Sequence, residues 1–173
     1  MLTFKFKIPK KSDRVYLSGG LICNGHWLMD ASWLESLTSA ESLPARKMLK
    51  RYQLAEVQKR LEGHDCKRVD LESLIPKYSD GEYFAMALNG DDSDCKITAK
   101  IVFPPFKESA QPRLTQVLMH YGSKHISLDS EYFPILFFDR TCGVYIKDAK
   151  SPVIIKQGQK IVALLMPLKQ KES

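Results

Sequence analysis

Residues Arg14–Leu34 read RVYLSGGLICNGHWLMDASWL, and this stretch decides the fold. Two apolar, β-rich runs are joined through Gly19-Gly20 and again through Asn24-Gly25. The Asn-Gly pair lies between Leu21, Ile22 on one side and Trp27, Leu28 on the other, and both of its residues tolerate the positive φ of a tight turn. The stretch therefore predicts a hairpin with strands on either side.

Working outward, Leu2–Ile8 alternates Leu2, Phe4, Phe6 and Ile8 with Thr3, Lys5 and Lys7, the period of a half-buried strand. On the other side, Glu35–Glu62 is rich in helix formers, with Pro44 placed at a helix start and Gly63 at a helix end. Its apolar residues fall on two stripes, Leu54, Val57, Leu61 and Met48, Tyr52, Ala55, which predicts a kinked helix or two short ones. Strand-like segments follow at Arg68–Ile75, Tyr83–Leu88 and Cys95–Phe103, with an acidic turn at Asn89–Asp92. Pro104, Pro105 and Pro112 make 104–112 an extended connector. Beyond it come a strand at His125–Leu128, a short helix opened by Asp129 or Ser130, and strands at Val144–Lys147, Val153–Ile155 and Ile161–Met166. Turns at Asp148–Pro152 and Gln157-Gly158 separate the last three. Helices and mostly antiparallel strands in separate runs predict an α+β domain over 1–173, with 1–103 and 113–173 as its halves.

The chain of 173 residues is long enough to bury a core without metal or disulfide. At 44% hydrophobic and 27% charged residues it has the balance of a folded globular protein. The amino terminus lacks the apolar region of a signal peptide, and no apolar run reaches the roughly 18 residues of a membrane span, so a cytoplasmic setting is expected. Cys23, Cys66, Cys95 and Cys142 form no CxxC pair, consistent with free thiols. A net charge of +6 tilts the expected partners toward polyanions.

Residues with chemical potential are scattered. His26, His64, His120 and His125 form no spaced metal set, and His64-Asp65-Cys66 is too local to converge on one ion. No GxSxG elbow, phosphate loop or GxGxxG occurs, and Asp91, Asp92 and Asp94 lack the ligand spacing of a calcium loop. No catalytic residue, metal or cofactor is expected. Basic residues do gather: Arg46, Lys47, Lys50 and Arg51 at helical spacing, extended by Lys59 and Arg60. On a helix such a row contacts phosphates without reading bases, although Glu41, Glu56 and Glu62 partly balance it.

Four stretches carry a resemblance: Arg14–Leu34, KITAKIVFPPFKESAQP (Lys96–Pro112), ISLDSEYFPILFF (Ile126–Phe138) and GVYIKDAKSPVIIKQGQKIVALLMPLK (Gly143–Lys169). In this order they resemble the bacterial DNA polymerase III beta sliding clamp family, whose domains carry RYYLNG followed by TDGHRL and whose chain closes on VMPMRL. The resemblance implies antiparallel sheets with two helices on one face, no catalysis, sequence-independent contact with duplex DNA, and DNA polymerase or repair proteins held through short peptides. The family's peptide pocket falls on Met29, Asp30, Trp33, Leu34, Leu165, Met166, Pro167 and Leu168. Asp30, Leu34, Met166 and Pro167 agree in type, whereas Ala31, Ser32 and Trp33 stand where the family has Gly, His and Arg. The family builds its ring from six domains, three per chain, so a chain of about one domain implies a homo-oligomer or no ring. Two other classes stay open: a protein-interaction module or decoy of clamp partners without DNA binding, and a nucleotide-processing enzyme.

Overall fold

The computed structural model describes residues 16–39, 70–86, 95–102, 113–129 and 141–169. These form ten strands and two helices of an α+β fold dominated by antiparallel sheet. The first strands are β1 (Tyr16–Ser18), β2 (Leu21–Cys23) and β3 (Trp27–Asp30), followed by helix α1 (Ala31–Ser39) and helix α2 (Leu74–Ser79). Then come β4 (Phe84–Met86), β5 (Cys95–Val102), β6 (Arg113–Tyr121), β7 (Lys124–Asp129), β8 (Cys142–Ile146), β9 (Val153–Gln157) and β10 (Lys160–Leu165). The predicted strand at Leu2–Ile8, the acidic turn at Asn89–Asp92, the connector at 104–112 and the helix opened near Ser130 lie outside the described residues.

The hairpin read from Asn24-Gly25 is present. Gly25 takes φ +88, and the Asn24 side-chain oxygen accepts the N–H groups of His26 and Trp27 at 2.9 Å each, closing the turn without help from distant residues. β2 and β3 pair directly, with Cys23 opposite Leu28 and Leu21 opposite Asp30.

The seven-stranded sheet runs β1-β2-β3-β10-β9-β8-β4, and every pairing in it is antiparallel. Strands from either side of 104–112 pair with each other: β3 with β10, β4 with β8, and β5 with β6 in a second sheet of order β5-β6-β7. The registers set up two cross-sheet rows. On face A lie Cys23, Leu28, Leu164, Ile154, Tyr145 and Ala85. On face B lie Ile22, Met29, Ala163, Ile155, Val144 and Met86. Face B is buried along its whole row, whereas face A is buried from Cys23 to Ile154 and opens to solvent at Tyr145 and Ala85.

Each face has its own cover. Leu71 and Leu74 join Leu21, Cys23, Leu28, Ile154 and Leu164 in one apolar cluster on face A, with Ile75 and Tyr78 packed against it. The second sheet meets face B, where Phe84 of β4 stacks on Tyr121 of β6 with ring centroids 5.1 Å apart. After β10 the chain stitches the two sheets together: Met166 N–H donates to the His26 carbonyl at 2.8 Å and Leu168 N–H to the Ser127 carbonyl at 2.7 Å.

Three local readings are corrected. Arg68–Ile75 was expected to be a strand, but its described part turns into α2. Leu71, Leu74, Ile75 and Tyr78 have helical spacing, and Pro76 falls in the first turn, where its missing N–H has no intrahelical partner to lose. Helix α1 begins at Ala31, four residues before the helix-rich segment expected from Glu35, because the Asp30 carboxylate accepts the Trp33 N–H at 2.9 Å and caps it; the rest of that segment, with Pro44 and both apolar stripes, lies outside the described residues. Arg113–Tyr121, part of no expected element, is the nine-residue β6 that pairs on both sides.

Leu164 lies at the centre of the large sheet, fully buried between Leu28 and Ile154. Leu164→Ala should cost about 2–5 kcal/mol, transfer and cavity terms together. In urea unfolding the midpoint should fall while the slope holds. A loss below about 1 kcal/mol would mean that the site collapses around the truncation.

Candidate nucleic-acid interface

The basic cluster Arg46, Lys47, Lys50, Arg51, Lys59 and Arg60 lies outside the described residues. The residues matched to a peptide pocket are all described, and they sit inside the molecule. Met29, Leu34 and Leu165 are 1% exposed or less, Trp33, Met166 and Leu168 are 4%, and Pro167 is buried. Their positions explain this: Met29 and Leu165 belong to face B, while Met166 joins the face A cluster.

Asp30 is the polar member of that group, and it has a structural task. One carboxylate oxygen caps α1, and the other accepts the Lys160 ammonium at 2.6 Å. Burial by itself would push this carboxyl up, but the Lys160 hydrogen bond, the Trp33 and Ser32 N–H donors and the Lys160 charge together hold it below its ordinary value. Cys23 behaves oppositely. Burial pushes its thiol up to about 11, partly offset by the Gly25 N–H, so it is not a nucleophile at neutral pH.

Among the described residues no three of His, Cys, Asp and Glu converge as metal ligands. His120 and His125 face each other across β6 and β7, their rings 6.1 Å apart. No described helix is long and apolar enough to cross a membrane.

The arrangement with chemical capacity lies where face A loses its cover. A cavity of about 430 Å³ opens between the end of α2 and the turn at 147–152, lined by the cations Lys77, Lys147 and Lys150, the acids Asp80 and Asp148, and Tyr78 and Tyr83 among others. The turn is built by Asp148, whose carboxylate accepts the N–H groups of Lys150 and Ser151 at 2.8 and 2.7 Å and the Ser151 hydroxyl at 2.9 Å. Burial opposes that charge, but these donors and the nearby Lys147 keep the Asp148 carboxyl below its ordinary value. Across the cavity Tyr83 donates its hydroxyl to the Tyr78 carbonyl at 2.9 Å. Burial first, then the Asp148 charge, pushes the Tyr83 phenol up to about 12, so it stays a neutral donor. Lys147 reaches over to the Asp80 carbonyl at 3.0 Å.

Lysines and aromatic rings are interleaved throughout this region. Lys77 lies 5.7 Å from the Tyr78 ring centre, Lys147 5.8 Å from Tyr83 and Lys156 4.8 Å from Tyr145. At the β6–β7 hairpin Lys124 lies 4.3 Å from Phe84. Cations held near aromatic faces, as Lys77 and Lys147 are at the groove and Lys156 is beside it, suit a ligand that carries both negative charge and flat apolar groups. In the sequence Asp148–Pro152 was legible only as a turn. What it lacked was the pairing of β4 with β8, which brings Tyr83 beside Lys147.

Comparison of the chain with protein-family models, with curated proteins and with solved structures finds no match.

The Asp30 carboxyl gives a pH signature. Its folded-state pKa is depressed, so its contribution to stability is complete above the ordinary carboxylate pKa of about 4 and is lost as pH falls through the folded value. Asn caps a helix as well as Asp does, so Asp30→Asn removes the charge and keeps the cap. The variant should be about 1 kcal/mol less stable than wild type at neutral pH, with the gap closing below about pH 4 in denaturant titrations. A gap that stays constant down to pH 2 would show that the charge contributes nothing.

Proposed function

We propose that the chain is a non-enzymatic accessory protein of DNA replication or repair, of the sliding-clamp kind, that holds DNA through its phosphates and does not read its bases. The observation that carries this reading is the groove in which Lys77, Lys147 and Lys150 stand beside Tyr78 and Tyr83, at an end of face A that no described helix or strand covers. Net charge of +6 points the same way, as does the antiparallel α+β architecture. The clamp-like segments at Arg14–Leu34 and Gly143–Lys169 supply β1, β2, β3, β8, β9 and β10, which are contiguous in the large sheet, with β4 beyond them at its edge.

The alternative of a peptide-binding module or decoy needs an exposed apolar groove. Trp33, Met166 and Pro167 do not favour it, since all three are buried.

Phosphate contact of this kind is sequence-independent and weakens steeply with salt. Fluorescence anisotropy against duplexes of unrelated sequence should give equal affinities that fall linearly on a log–log salt plot. Lys147→Glu/Lys150→Glu should weaken binding to all of them and lower the salt slope by about 1–2. Lys50→Glu/Arg51→Glu, in the same assay, tests whether the 46–60 cluster shares the contact. Gel filtration with light scattering reports the oligomeric state. A strict monomer indifferent to DNA at low salt would remove the clamp reading.

A further inference from the structure

Tyr145 sits where the face A row passes from core to solvent, half-buried, with buried Ile154 opposite it on β9 and exposed Ala85 opposite it on β4. Its ring leans back along its own strand over Gly143. A Cβ added to Gly143 would lie 2.8 Å from the ring carbon Cε2 and 3.0 Å from the hydroxyl, closer than atoms pack. Glycine at 143 therefore provides the seat in which the ring lies against the sheet, and the inner edge of the ring packs on the apolar cluster. Such a ring is an anchored aromatic platform.

Cations flank it along the strand. Lys156 is paired with Gly143 on one side, its ammonium 4.8 Å from the ring centre. Lys147 follows two residues beyond Tyr145 on the other side, at the mouth of the groove that Lys150 also lines. At the rise of an extended strand, about 3.3 Å per residue, the strip from Gly143 to Lys147 spans about 13 Å.

We propose that this strip of β8 is a platform for single-stranded nucleic acid, in which Tyr145 stacks an unpaired base while Lys147, Lys150 and Lys156 hold the flanking phosphates. The proposal rests on the phosphate-binding reading above and names the form of nucleic acid. A duplex keeps its bases stacked on each other and offers the ring nothing; an unpaired base has a free face. On binding, Lys156 exchanges its contact with the ring for a charge-assisted bond to phosphate, a stronger interaction. Among the described residues Asp80, Glu82 and Asp148 are the acidic residues nearby, and the Asp148 carboxylate is turned into its own loop by three donors.

The test is anisotropy on labelled oligothymidine of about 16 nucleotides and on a duplex of the same length, at low salt. The single strand should bind on the order of tenfold or more tightly than the duplex. Tyr145→Leu keeps apolar contact with the core and removes the aromatic face; it should weaken single-strand binding on the order of 10- to 100-fold and leave the duplex nearly unchanged. Tyr145→Phe should restore binding. Gly143→Val, which unseats the ring without touching a charge, should resemble Tyr145→Leu, with circular dichroism confirming that both variants fold. Equal affinity for the two forms, or a Tyr145→Leu variant that binds the single strand like wild type, overturns the platform and leaves the phosphate reading standing. No binding of either form overturns both.

Discussion

The rest of the structure depends on one constraint, the pairing of β3 with β10. The two strands meet through Leu28–Leu164 on face A and Met29–Ala163 on face B, and all four side chains are buried. A strand buried on both faces gains about 1.5–3 kcal/mol for each large apolar side chain taken out of water, so this seam ties the amino-terminal hairpin firmly to the carboxyl-terminal strands. Other contacts follow from it. Lys160 on β10 reaches Asp30 at the end of β3, so that the ion pair and the α1 cap come together only once the strands are in register. The segment after β10 then bonds to His26 and Ser127 and joins the two sheets. The cost is entropic: residues 130 apart in sequence must meet before the seam contributes anything, which makes for high contact order and slow folding.

That seam also explains which parts of the fold were legible in the sequence. Local signals were sufficient for the β2–β3 hairpin, because Asn24 closes its own turn, and for the alternating or continuously apolar strands β5, β9 and β10. β6 was missed because Val117, Leu118 and Met119 are consecutive apolar residues with no period of two. α2 is hard to see in the sequence because Val69, Leu71, Leu74 and Ile75 also suit a strand, and only Tyr78 completes one face of a helix. Strand order could not be read at all. It is set by which buried surfaces fit together across the chain, and turn chemistry carries no information about that.

The residues of the inferred interface were obscured for a related reason. Lys147, Lys150 and Lys156 look like ordinary charges around a turn, and Tyr83 lies more than sixty residues earlier. The β4–β8 register brings Tyr83 beside Lys147, and the β8–β9 pairing brings Lys156 beside Tyr145. Conversely, Met29, Trp33, Leu34 and Leu165–Leu168 attracted notice because they match a family's pocket, yet large apolar residues in a continuous run are most often core, and here they are buried. Their burial removes an apolar surface and leaves the charged one as the region with chemical capacity.

The position of that region follows from how the sheet is covered. α2 has six residues and hides face A only as far as Ile154; the sheet continues for two more strands, β8 and β4. Tyr145 and Ala85 occupy the uncovered end of a row whose other members are core. An aromatic residue with a polar tip tolerates this boundary better than an aliphatic one, and the Tyr145 ring packs against the face A cluster that holds Ile154. The strand beneath is held by β9 on one side and β4 on the other, so Tyr145 and Lys156 are fixed by backbone pairing, while Lys147 and Lys150 follow in the turn that Asp148 closes. Groups carried on paired strands keep their spacing better than groups on a loop, and a ligand that binds them loses less entropy in ordering the site. At the uncovered end of face A, Tyr145 and Lys156 have this kind of support from the sheet.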